Sequence, residues 1–130
     1  MKNLTIAFLT LLTIFTSCSK DKDKDDAPGK LSRTIRYEVT GNFTGNFYAS
    51  YTTSGGGTNN EQVMSLPWTK EITYEQNVVA ATIVLSGAGG TVGQQATLIR
   101  KRDGKQAGTP MIATADAAGG FSIGAPALTF

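Results

Sequence analysis

Histidine is absent from this 130-residue chain, and cysteine occurs once, at Cys18. Without imidazole or a second thiol, the chain excludes His-assisted nucleophiles, Cys/His zinc sites and internal disulfides. Charge of either sign is also scarce: 12 Lys and Arg oppose 10 Asp and Glu, for a net +2. From Leu31 onward seven basic residues face six acidic ones. So weak a field argues against nucleic acid as a partner. A membrane-spanning apolar run is missing too. The stretch Leu4–Phe15, broken only by Thr5, Thr10 and Thr13, would make a helix of about 18 Å against a hydrocarbon core of about 30 Å.

That stretch has the length of a signal-peptide core, and Lys2 supplies the positive start that such a segment needs. Phe15-Thr16-Ser17-Cys18 resembles the lipobox of bacterial lipoproteins, with Phe15 standing where an aliphatic residue is usual. The resemblance implies removal of residues 1–17 and acyl chains, palmitate among them, on Cys18. The membrane would then be a partner through covalent lipid. Each buried methylene contributes about 0.8 kcal/mol, and two or more chains hold where one releases. Residues 18–30 continue as a charged, apolar-free tether ending in Ala27-Pro28-Gly29, a composition that cannot order itself. Lys20-Asp21 and the following acids resemble the surface-export signals of Bacteroidota lipoproteins. The expected location is the outer membrane, at its periplasmic face or the cell surface.

Residues 31–130 read as one all-β domain. Ile35, Tyr37 and Val39 alternate with polar neighbours, as do Phe47, Ala49 and Tyr51. Met64, Leu66 and Trp68 predict a third strand. Val79, Ala81, Ile83 and Leu85 predict a fourth, flanked by Val78, Ala80 and Val84 and so covered on both sides. Ala96 and Leu98 mark a fifth, and Pro110–Thr114 and Phe121–Phe130 supply one or two more. Gly-rich turns separate these runs, and Asp103-Gly104 predicts a type I′ hairpin. About seven short strands argue for a two-sheet antiparallel sandwich, with a small barrel as the alternative.

One set of motifs is more specific. Tyr37-Glu38-Val39-Thr40-Gly41, Ala49-Ser50-Tyr51-Thr52, Ser65-Leu66-Pro67-Trp68-Thr69-Lys70 and Asp103-Gly104-Lys105 follow one another in order. The segment resembles the MmpS family of small, membrane-anchored accessory proteins of mycobacterial lipid exporters, over residues 35–105. The resemblance implies an immunoglobulin-like sandwich without catalytic activity, serving an envelope transport system through a protein partner. Lipid on Cys18 would replace that family's transmembrane helix, and Leu98 stands where a cysteine of its frequent pair would fall.

Candidate surface residues follow from the pattern. Phe43 lies in a Gly-Asn-rich turn, Tyr48 on the polar face of its strand, and Arg100, Lys101, Arg102 and Lys105 make the domain's one positive cluster. Trp68 is expected to fill the core with its indole N–H on a carbonyl; an exposed aromatic platform is the alternative. No catalytic triad, paired acid and base, metal cluster or cofactor site can be assembled, so a non-enzymatic interaction module is expected. The rival reading is a lipoprotein that binds glycan or lipid through exposed aromatics.

Overall fold

Period-two alternation becomes a run of short extended strands. The computed structural model describes residues 31–130. The expected signal peptide, Cys18 and the expected tether lie outside the described residues. The strands are β1 (Thr34–Gly41), β2 (Asn46–Thr52), β3 (Thr58–Val63), β4 (Trp68–Thr73), β5 (Ala80–Ala81), β6 (Ile83–Ala88), β7 (Gln95–Arg102), β8 (Lys105–Gln106), β9 (Met111–Thr114), β10 (Phe121–Gly124) and β11 (Leu128–Thr129). No helix occurs among the described residues.

All pairings are antiparallel. One sheet runs β4-β1-β7, and β7 then pairs with β9 along its first half and β8 along its second. The other sheet runs β10-β6-β2-β3, and β5 pairs with β11 in a small third sheet. Each sheet has free edges, so none closes into a barrel. Ile35, Tyr37, Val39, Ala96 and Leu98 from the first sheet meet Phe47, Ala49, Tyr51, Ile83 and Leu85 from the second in one buried cluster. This is an all-β sandwich, as the alternation predicts. Every strand and core residue among the described residues lies in the compact unit Leu31–Phe130.

Several expectations are corrected. Eleven strands replace about seven, because β5, β8 and β11 are two-residue pieces. The run Met64–Pro67 is not a strand, and Trp68 instead opens β4: Met64 is 82% exposed, and a cis Leu66–Pro67 peptide lies where the chain crosses from β3 to β4. The actual edge strand is the polar Thr58–Val63, which offers no apolar alternation to read. Val79 is 77% exposed and Val84 is also exposed, so the fourth predicted strand is not covered on both faces. The outer face of an antiparallel sheet meets water, and Val78 is the residue that turns inward. The Asp103-Gly104 hairpin forms as expected, with φ of 52° and 71°.

Candidate binding surface

Strand alternation disperses the basic cluster. Arg100 follows Ala96 and Leu98 on the inner face of β7 and is only 5% exposed, not a surface cation. Arg102, on the same side, donates from Nη2 to the Thr129 carbonyl at 2.8 Å and lies over the Phe130 ring. Lys101 points the opposite way, 2.9 Å from Glu38, which Arg36 also meets at 2.8 Å. Lys101 above all holds the Glu38 carboxyl below its usual range; burial opposes it, and Arg36 adds a smaller lowering effect. Only Lys105 stands free at the hairpin, so the four side chains form no common patch.

The aromatic candidates divide. Tyr48 is exposed, beside Asn46 and Ser86 at a shallow recess, as expected. Phe43 is 6% exposed and belongs to the core, which corrects its assignment to the surface. Its ring stands edge-on to Phe121 at 4.8 Å and to Phe47 at 6.0 Å. The glycines that signal a turn also vacate the space that the ring fills: a Cβ at Gly90 would lie 2.3 Å from it.

Residues of the motif set mostly build the frame. Tyr37 is fully buried, and its hydroxyl pairs with that of Tyr74 at 2.9 Å, while Tyr74 donates to the Thr52 carbonyl. Burial raises the pKa of both phenols. Trp68 is half-buried rather than a core plug, and its indole N–H donates to a Glu61 carboxylate oxygen, not to a carbonyl. The other Glu61 oxygen accepts from Lys70 at 2.8 Å and from Tyr51 at 2.6 Å. Lys70 and then Tyr51 pull the Glu61 carboxyl from 4.5 down to about 2. Sequence reasoning missed Glu61, because β3 carries no periodic signal and its partners lie on β2 and β4.

A lowered carboxylate pKa stabilises the fold above the unfolded value and loses that contribution as pH falls through the folded one. Glu61→Gln is expected to cost about 1–2 kcal/mol at pH 7, the partly exposed site being screened by solvent. The gap to wild type should close between about pH 4.5 and about 2. Urea midpoints measured across that range check it; a gap that does not vary with pH contradicts the ion pair's role.

The two sides of the sandwich differ in charge. On one side, edge strands β3 and β4 carry Glu61, Lys70 and Glu71. On the other, the exposed edges β9 (Met-Ile-Ala-Thr) and β10 (Phe-Ser-Ile-Gly) contain no charge. Ile112 of β9 is 58% exposed. Charges ordinarily guard edges against pairing with another chain; Lys105 of β8 supplies one where β8 shares the β7 edge with β9, whereas β9 and β10 themselves carry none. Between β9 and the β10–β11 segment lies an open groove of about 610 Å³. Met111, Ile112, Ile123, Pro126 and Leu128 line it, and Arg100 is the one charged residue in its wall. The sequence identifies Met111–Thr114 as a strand, but not as an edge, since edge position depends on pairing partners far along the chain.

Comparison with known protein families, with curated proteins and with solved structures finds no match for this chain.

Proposed function

We propose that this protein is a non-catalytic, lipid-anchored lipoprotein of the bacterial envelope whose β-sandwich acts as an interaction module. The observation that carries the reading is the uncharged pair of edges, β9 and β10, on one side of a sandwich whose opposite edges are charged. An extended segment of a partner would add to such an edge through main-chain hydrogen bonds, with Ile112 offering an apolar contact. The MmpS-like motifs support an accessory role beside an envelope transport system. The lipobox-like residues before Cys18 support the anchor.

Cells producing the full chain with a photoreactive residue at position 112 should yield one discrete cross-linked adduct. The same residue at Asn60, on the charged side, should yield none. Equal labelling at both positions, or none at 112, defeats the edge reading. Radioactive palmitate should enter the wild-type chain and not Cys18→Ser; equal incorporation defeats the anchor.

The groove supports a second reading, in which the domain holds a small apolar ligand. Its volume lies within the range of about 300–1,000 Å³ usual for such sites. An aromatic platform has less support, since Phe43 is in the core, Trp68 is half-buried against the core, and of the three only Tyr48 is exposed.

A further inference from the structure

Arg100 is a cation in a place that normally excludes one. It is 95% buried in an apolar wall, where an uncompensated charge is strongly disfavoured. Among the described residues the ion pairs are Arg36–Glu38, Lys70–Glu61 and Lys101–Glu38, and none includes Arg100. No acidic residue lines the groove. A guanidinium has five N–H donors, and the hydrogen bond found for this one runs from Nη1 to the Pro126 carbonyl. Gly108 packs closely against another edge of the group, where no side chain would fit: a Cβ there would stand 2.7 Å from Nη2. Burial also pulls the guanidinium pKa below its ordinary value, with the Tyr37 hydroxyl opposing. An arginine nonetheless stays charged at neutral pH.

We infer that the groove between β9 and the β10–β11 segment binds a monocarboxylate amphiphile of the free fatty-acid class, with its head on Arg100 and its chain along Met111, Ile112, Ile123 and Leu128. The inference rests on the second reading above and names the chemistry of the head. A carboxylate matches the planar fork of a guanidinium through two parallel hydrogen bonds. One negative charge also balances one buried positive charge. A phosphate monoester, carrying about −1.5 to −2, would leave excess charge in the same apolar wall.

The full chain is titrated calorimetrically at neutral pH with dodecanoate and with dodecan-1-ol, each below its aggregation threshold. Dodecanoate is expected to bind at least about tenfold more tightly, as a charge-assisted hydrogen bond provides. Arg100→Met should abolish that preference and leave the alcohol's affinity unchanged. Ile112→Asn, at a mostly exposed position, should weaken both ligands about fivefold through lost apolar contact. Equal affinities for acid and alcohol in the wild type overturn the carboxylate assignment while the apolar groove stands. Binding of neither overturns both. Should Arg100→Met fail to fold, unchanged dodecanoate affinity in Ile112→Asn still overturns the placement.

Discussion

Phe43→Ala is expected to destabilise the domain by about 3–5 kcal/mol, the range for removing a buried aromatic ring from a core. The ring is the centre of a three-membered aromatic cluster with Phe47 and Phe121, whose centroids stand 4.8–6.0 Å from one another. Each edge-to-face pair adds about 0.5–1.5 kcal/mol beyond the area it buries. The loss would be hard to heal locally. Gly45, Gly87 and Gly90 surround the ring, and having no side chains of their own they contribute nothing to refill the cavity. Urea denaturation of the variant checks the value. A cost below about 1 kcal/mol would return Phe43 to the surface, where its turn-like sequence context puts it.

Gly41→Ala is expected to cost about 3 kcal/mol or more by the same measurement. Gly41 ends β1 at φ 136°, in a region that L side chains rarely adopt. An added Cβ would fall 2.1 Å from the Gln95 carbonyl oxygen. That oxygen already accepts from the amides of Asn42 and Phe43, at 3.0 and 3.2 Å. Moving it would disturb the β1–β7 pairing and the turn that delivers Phe43 to the core. The two substitutions should therefore combine non-additively, since each disturbs the same joint. A variant within about 0.5 kcal/mol of wild type would show that the backbone relaxes there freely.

Both sites bear on how much of the fold is legible in the residues alone. The glycine at position 41 is visible as the end of a Tyr-Glu-Val-Thr-Gly strand, yet the reason that no other residue fits is the approach of Gln95, 54 positions away. Phe43 misleads because a Gly-Asn-rich neighbourhood signals a turn, and turns are usually wet. Here the turn carries its aromatic residue into the core, onto Gly87 of β6 and Gly90 of the loop that follows it. Arg100 misleads for a related reason: three adjacent basic residues read as one charged patch, whereas a strand sends alternate side chains to opposite faces.

Sequence determined the inward apolar residues of β1, β2, β6 and β7, the positive-φ hairpin at Asp103-Gly104 and the all-β class, because these depend on local backbone preference and period. Tertiary structure decided which strands lie at edges, which edges lack charge, that Glu61 gathers Tyr51, Trp68 and Lys70, and that Arg100 lies in an apolar wall. Period two assigns a residue to a face but not to a neighbour. Which face is covered, and by what, follows from pairings between distant segments.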